Sequence, residues 1–473
     1  MKRQYLLLIA LWLSVANNLY ALDIKETTES YGIFGTVHIY KTSDTPTHVV
    51  LFISGDGGWN LGVVDMARSL ALLDSMVVGI DITHYIKELN GSADACSYGA
   101  AHFEELSQYL QKKYNFPHYV PPLLVGYSSG ATMVYTVLAQ SPPNTFAGAI
   151  SMGFCPDLKT SKPFCKGNGA LTYTVDKKLG FIYEPVERVV APWAVLQGDI
   201  DQVCSTPDTK VFVSKVEQGE MVELPKVGHG FSVPKNWMPQ FKNAFINIYG
   251  QQTPFVQPEV NGSALKDLPL VELPLDKRSD TMAVIISGDG GWASLDKSIG
   301  EALNKEGIPV VGLNSLQYFW SKKTPDISGV DLENILTNYA SSWHKDKFIL
   351  VGYSQGADVL PFMISRLPPE LKKKISKTVL LGLEENVDFE FHVSNWLPSS
   401  DSGQHKVLPE LEKLKGMAIT CIYGDEETDS ACTKIENKEV RVIKMKGGHH
   451  FGGDYKRLAA IVLGNEGQDS KSP

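Results

Sequence analysis

Two serines in this chain sit in the pattern that turns a hydroxyl into a nucleophile: Gly126-Tyr127-Ser128-Ser129-Gly130 and Gly352-Tyr353-Ser354-Gln355-Gly356 both read G-x-S-x-G. The chemistry needs a strand that turns abruptly into a helix, so that the serine oxygen stands exposed while the glycines remove side chains that would clash. Both serines follow an apolar run and precede a helical pattern. Such a nucleophile calls for a base and an acid later in the chain, in the order Ser, Asp, His. The bases are expected at His229 and His449, which share a Gly-His-x-Phe setting, with His450 as a neighbour lining the site. For the acids, aligning on the cysteine three residues downstream selects Asp201 before Cys204 and Asp429 before Cys432, with Glu427 as the alternative in the second half. Asp199, Asp425 and Glu426 read as solvated or turn-capping carboxylates.

The acyl oxygen of a substrate also needs backbone amides to hold its developing charge. A repeated Ser-Gly-Asp-Gly-Gly-Trp after an early strand offers Asp56 or Gly57 in one half and Asp289 or Gly290 in the other. The second amide in each half belongs to the residue after the nucleophile, Ser129 or Gln355. The alternative, a phosphate-cradling loop, lacks the Gly-Lys-Ser/Thr ending.

These residues recur because the chain repeats itself. Ile53 to Trp59 is identical to Ile286 to Trp292, and Leu124 to Ser128 is identical to Leu350 to Ser354. Gly198-Asp199 returns as Gly424-Asp425, and Gly228-His229 as Gly448-His449, always in the same order. Two long copies with drifting spacing make a tandem pair of domains, 22–250 and 267–473, rather than a solenoid. Residues 251–266, with Pro254, Pro258 and an Asn-Gly pair, read as the linker. In the first copy Val49–Ile53, Met76–Ile80, Pro122–Val125, Ala147–Met152 and Ala191–Leu196 read as buried strands, and Gly62–Leu73, His102–Tyr114 and Ser129–Gln140 as helices. The second copy repeats the strands at Ala283–Ile286, Val310–Leu313, Phe348–Val351, Thr378–Leu381 and Met417–Ile422. That alternation predicts an α/β fold in which each domain is a mostly parallel sheet with helices on both faces.

Composition narrows the functional classes. The 473 residues are 43% hydrophobic and 21% charged, enough to bury a sizeable core, and the net charge of −9 argues against a nucleic-acid partner. Lys2 and Arg3 ahead of the apolar run Tyr5–Val15, then small residues, read as an export signal over residues 1–21. No later stretch has membrane length, so the exported protein is expected to have no transmembrane segment. Export makes the six cysteines candidates for disulfides. The second half offers only Cys421 with Cys432; in the first half proximity favours Cys155 with Cys165 and Cys96 with Cys204. No spacing suggests a metal site, and no cofactor is expected.

Taken together, the two Ile-Ser-Gly-Asp-Gly-Gly-Trp stretches, Ser315 to Trp320 with Thr324-Pro325, the run Gly352 to Phe362 and Gly448 to Phe451 resemble the VirJ/AcvB family of exported bacterial virulence-associated proteins, a branch of the α/β-hydrolases. The resemblance covers nearly the whole mature chain in the two-domain AcvB form, VirJ corresponding to the second domain. It implies two tandem α/β-hydrolase domains and a periplasmic serine hydrolase that cleaves the aminoacyl ester of aminoacyl-phosphatidylglycerol at the membrane surface, chiefly the lysyl form. It also implies that the second domain carries the activity, which puts Ser354, Asp429 and His449 first, with Ser128, Asp201 and His229 as a second site. An acidic protein suits the two ammonium groups of a lysyl head, for which Asp358 and Glu384 are candidates. Lys322 and Lys323 read as a solvated basic pair. Two other roles follow from the same resemblance or fold, a non-catalytic partner of type IV secretion proteins and a general exported carboxylesterase.

Overall fold

A computed structural model describes residues 23–92, 94–251, 265–275, 279–391 and 403–464. The expected export signal and nearly all of the expected linker lie outside the described residues. The rest forms two bodies, each built on its own twisted sheet.

The first body begins with an antiparallel pair, β1 (Lys25–Tyr31) and β2 (Gly35–Lys41), followed by β3 (His48–Ile53), α1 (Gly62–Ala71), β4 (Ser75–Ile80), α2 (Ile82–Gly91) and α3 (Gly99–Lys113). Then come β5 (Leu123–Tyr127), α4 (Ser129–Gln140) and β6 (Gly148–Met152). A small antiparallel sheet of β7 (Asp157–Leu158), β8 (Tyr173–Asp176) and β9 (Gly180–Tyr183) intervenes before β10 (Arg188–Gly198), α5 (Thr206–Val213), β11 (Glu217–Leu224) and α6 (Met238–Gln251). The main sheet has eight strands in the order β1-β2-β4-β3-β5-β6-β10-β11, parallel from β4 onward.

The second body repeats the plan with one strand fewer. It runs β12 (Leu270–Leu273), β13 (Thr281–Ile286), α7 (Ser294–Lys305), β14 (Val310–Leu313), α8 (Ser315–Tyr318), α9 (Pro325–Ser342), β15 (Lys347–Tyr353) and α10 (Gln355–Ser365). After β16 (Ile375–Leu381), a two-stranded ribbon of β17 (Asn386–Val387) and β18 (His405–Lys406) precedes β19 (Ile419–Gly424) and β20 (Arg441–Met445). The seven main strands lie in the order β12-β14-β13-β15-β16-β19-β20, with only β12 antiparallel. Successive strand residues point to opposite faces, and both faces are buried: Val49, Leu51 and Ile53 enter one core while Val50 and Phe52 enter the other. Val284 and Ile286 against Ala283 and Ile285 do the same in the second body. The chain is therefore two tandem α/β-hydrolase domains.

The strands predicted from apolar runs all form, within a few residues. The antiparallel β1–β2 pair was not among them, because β1 (KETTESY) is mostly exposed and carries no buried stripe to betray it.

The first-half disulfides differ from the expected pairing. They join Cys96 to Cys165 and Cys155 to Cys204, while Cys421 pairs with Cys432. Chain proximity lost to fold proximity. Ser97 donates to Pro163 O and Cys165 to Ser97 O, which lays Cys96 beside Cys165. Cys155 and Cys204 follow the adjacent parallel strands β6 and β10, so their loops emerge side by side at the same sheet edge. Among the described residues no helix is long and apolar enough to cross a membrane.

Candidate active site

Each candidate nucleophile sits where β5 or β15 breaks into its following helix. Ser128 has φ 55° and ψ −122°, and Ser354 has φ 51° and ψ −123°, a conformation that costs a non-glycine residue of order 1–3 kcal/mol and persists only where surrounding structure imposes it. The imposing contacts are backbone ones. A Cβ on Gly126 would lie 2.0 Å from Gly130 O, and one on Gly356 would lie 2.1 Å from Ile286 O, so helix and strands meet too closely for any side chain. The helix start leaves the amides of Ser129 and Gln355 in the unpaired first turn, beside the serine oxygens.

In the first domain the expected partners come together. Ser128 Oγ donates to His229 Nε2 at 2.9 Å, and His229 Nδ1 donates to Asp201 Oδ2 at 2.9 Å. The Asp201 side chain has no exposed surface, and that of His229 is 16% exposed. Asp201 Oδ1 accepts from the amides of Val203 and Cys204, and Gln197 Nε2 donates to Oδ2, so the carboxylate is fixed from several sides. The Cys155–Cys204 disulfide ties the Asp201 loop to the loop after β6. Cys204 also lies within metal-ligand reach of Asp201 and His229, but its sulfur is committed to that disulfide.

The second domain differs in its acid. His449 Nδ1 donates to Glu427 Oε1 at 2.6 Å, while Asp429, the acid expected here, is exposed. The correction follows from what sets the register. Asp201 and Glu427 each stand three residues beyond the glycine that ends the strand, Gly198 or Gly424, and that count from the sheet places the carboxylate. The cysteines used to align the halves are not equivalent: Cys204 reaches across to Cys155, whereas Cys432 folds back onto Cys421 of its own β19. Glu427 Oε2 accepts from the Gly424 amide at 2.6 Å. Among the described residues no hydrogen bond joins Ser354 Oγ to His449; in substrate-free sites such contacts are commonly long and tighten with substrate.

Acids surround this second histidine. Burial pulls the His449 imidazole down, but bonding to Glu427 and the fields of Glu384 and Asp289 prevail and hold it above the usual histidine range. Burial works the other way on Glu427, yet the His449 bond and the Gly424 amide keep it below the usual carboxylate range. Glu384 is pushed up by partial desolvation and by Asp289, Asp429 and Glu427, with His449 opposing. Asp358 is buried, and its Oδ1 accepts the Glu384 amide at 2.7 Å, so it shapes the loop carrying Glu384 rather than standing open at the mouth. Burial and Glu384 hold it well above the usual carboxylate range. In the first domain the same loop contact runs from Thr132 Oγ1 to Cys155 O, at 2.5 Å.

The repeated glycine-rich loop lies against each nucleophile. A Cβ on Gly55 would be 3.0 Å from Ser128 Cβ, and one on Gly288 would be 3.4 Å from Ser354 Cβ. Gly58 N donates to Gly55 O and Gly291 N to Gly288 O, which makes Asp56-Gly57 and Asp289-Gly290 the tips of equivalent turns. The loop's serine is structural: Ser54 Oγ accepts the Ile82 amide at 3.1 Å and Ser287 Oγ the Ser315 amide at 2.9 Å, fixing the starts of α2 and α8. Its tryptophan anchors the loop. Trp59 and Trp292 fill the space over Gly79 and Gly312, where a Cβ would come within 2.0 and 2.2 Å of the indole. The tyrosine before each candidate nucleophile, not among the expected site residues, also belongs to the site. Tyr127 Oη donates to His229 O at 3.0 Å, and Tyr353 Oη to His450 Nδ1 at 3.0 Å, holding each histidine loop against the elbow. The shared Gly-Tyr-Ser was the available signal.

No curated protein matches this chain. Among solved structures, a putative dienelactone hydrolase from Klebsiella pneumoniae subsp. pneumoniae is 15% identical, with TM-score 0.35, over 48% of this chain and 99% of that one. An α/β serine hydrolase without a lid from Xanthomonas campestris is 19% identical, with TM-score 0.32, over 50% and 99%. Est1E from Butyrivibrio proteoclasticus is 12% identical, with TM-score 0.32, over 48% and 99%. Residues 280–469, which span the second nucleophile, its histidine and Glu427, match the family model of the bacterial virulence protein VirJ.

Proposed function

We propose that this protein is an exported serine hydrolase that cleaves the aminoacyl ester of aminoacyl-phosphatidylglycerol and restores the anionic lipid. The observation that carries the hydrolase reading is the continuous hydrogen-bonded line Ser128–His229–Asp201, whose counterparts Ser354, His449 and Glu427 stand at equivalent strand ends of the second domain. The acids around the second site support assigning the cationic substrate there. In this mechanism His449 takes the Ser354 proton as the oxygen attacks the ester carbonyl, and Glu427 orients and balances the imidazolium. The Gln355 amide and an amide of Asp289 or Gly290 hold the oxyanion. His449 then gives the proton to the departing glycerol oxygen. Water, activated by the same histidine, releases the amino acid from the acyl-enzyme and frees the serine.

The first domain favours a second reading for its own site, an esterase for uncharged acyl groups, because Cys155 stands in its disulfide where the second domain has Glu384. The test is lysine release from lysyl-phosphatidylglycerol in vesicles by the mature protein, beside Ser128→Ala, Ser354→Ala and the double variant. Loss with Ser354→Ala alone supports the proposal. An inactive wild type removes it and favours a docking role beside secretion proteins in the periplasm.

A further inference from the structure

The parallel strands β3, β5, β6 and β10 all finish at one end of the first domain's sheet, so the loops that follow them share that end with Ser128. Several apolar side chains face water there. Leu61, just beyond the glycine-rich loop after β3, is 84% exposed; Ile200 and Val203, on either side of Asp201 in the loop after β10, are 59% and 67% exposed. Single exposed aliphatic residues are ordinary, but a group of them around one end of a sheet marks a contact surface. Among the described residues of the second domain the large exposed hydrophobic side chains are Ile327 and Val330 on α9 and Val442 on β20, none of them in a loop around its site.

The loop after β6 adds a hairpin to this end. Its stalk starts at Cys155, which the disulfide holds to Cys204 beside Asp201, and the Tyr183 amide at the end of β9 donates to Pro156 O at 2.9 Å. β9 lies between β7 and β8, so β8 is a free outer strand, and all four of its residues are exposed. Tyr173 and Val175 stand opposite Tyr183 and Phe181 on one side of it. The Tyr173 ring packs edge-on against Phe181, 5.1 Å between centroids, yet Tyr173 stays exposed and Val175 is 70% exposed. Leu179, past the turn, is exposed as well. Between Val175 and Leu179 come Lys177 and Lys178, both exposed, and among the described residues neither side chain has an ion pair. Exposed Lys159 lies beside the turn, its Cα 2.8 Å from where a Cβ on Gly180 would stand. Asp176, the single acid between Lys159 and Gly180, accepts the Lys178 and Leu179 amides at 2.7 and 2.9 Å, so its charge is engaged in holding the turn.

Lysines on a free outer strand discourage stray strand pairing, but Lys177 and Lys178 lie in the turn beyond β8 and do not guard its edge. Their charge stands out in a chain of net charge −9. Cations flanked by an aromatic ring and aliphatic side chains match the layers of a negatively charged bilayer: lysines meet the phosphates, tyrosine sits at headgroup level and the aliphatic groups go below. We propose that this end of the first domain docks on an anionic lipid surface, with the β8–β9 hairpin entering the headgroup layer and Leu61, Ile200 and Val203 resting against it. This goes beyond the reaction assigned above, since docking needs neither serine. It brings the whole chain to the layer in which a lipid ester lies.

The experiment measures co-sedimentation of the full-length mature protein with vesicles of phosphatidylcholine alone, or of phosphatidylcholine and phosphatidylglycerol in equal parts. Wild type should partition onto the anionic vesicles about tenfold more strongly, and less so at high salt. Lys177→Gln with Lys178→Gln should remove most of that preference, and Val175→Ser with Leu179→Ser should weaken binding to the anionic vesicles about tenfold. Lys87→Gln with Lys305→Gln, at two exposed lysines elsewhere, controls for net charge and should bind as wild type does. Unchanged thermal unfolding shows that each variant is folded. Wild type that binds neither vesicle, hairpin variants that bind like wild type, or an equal loss in the control pair would each overturn the proposal; the first result would leave the free β8 edge to a protein strand instead. Lysine release from detergent-dispersed lysyl-phosphatidylglycerol reports the reaction separately: a chain inactive there yet bound to vesicles through the hairpin loses the assigned reaction and keeps the docking surface.

Discussion

The first domain holds its serine, histidine and aspartate in one closed hydrogen-bonded line, braced by a disulfide and by Gln197, and its acid is sealed from water. The second keeps the histidine–carboxylate half, with a longer acid, a more exposed imidazole at 34%, and carboxylates where the first has a disulfide-bonded cysteine and a threonine. One duplicated plan has thus been set two ways, one closed around its histidine, the other more exposed and richer in carboxylates. The difference teaches that the elbow and glycine-rich loop fix where a nucleophile stands, whereas the loops after β6/β16 and β10/β19 decide what surrounds it.

The largest effect expected is at the nucleophiles. Ser128→Ala with Ser354→Ala should cut ester hydrolysis by about 10³-fold or more, and single variants read with aryl and lysyl-lipid substrates should divide that loss by domain. Next comes the acid. In a Ser128→Ala background Glu427→Gln should lower kcat by about 10²–10⁴-fold, because the amide no longer balances an imidazolium, while Asp429→Asn stays within about twofold. The reverse ranking would restore the cysteine-based alignment. Third, replacing Cys155 and Cys204 together by serine should cost the first domain about 2–4 kcal/mol in denaturant unfolding and lower its esterase activity, leaving lysyl-lipid hydrolysis within about twofold. The smallest effect is in pH. With Ser128→Ala, kcat/KM should rise with pH only above the usual histidine range, since His449 must be neutral to act as base and Glu427, Glu384 and Asp289 hold its proton on. Glu384→Gln should move that rise to lower pH; an unmoved profile would show that Glu384 does not act on the base.

Much of this was legible in the sequence because the informative residues sit at strand ends, where apolar runs stop and glycines mark close backbone approach. Ser128 and His229 follow from motif, order and spacing, while Asp201 follows from the cysteine three residues on, a register that places the acid in the first domain and misplaces it in the second. Asp429 was favoured over Glu427 because residue identity was aligned where distance from the strand end governs. The disulfides of the first half were misjudged for a related reason, since parallel strands bring together loops that are remote along the chain.

Both elbow serines occupy a backbone conformation that glycine adopts freely and serine does not. Glycine at either position is therefore expected to relieve strain that any side chain with a Cβ keeps. Ser354→Gly should unfold at a higher temperature than Ser354→Ala, by the equivalent of about 1 kcal/mol, because alanine keeps the strained Cβ and glycine sheds it.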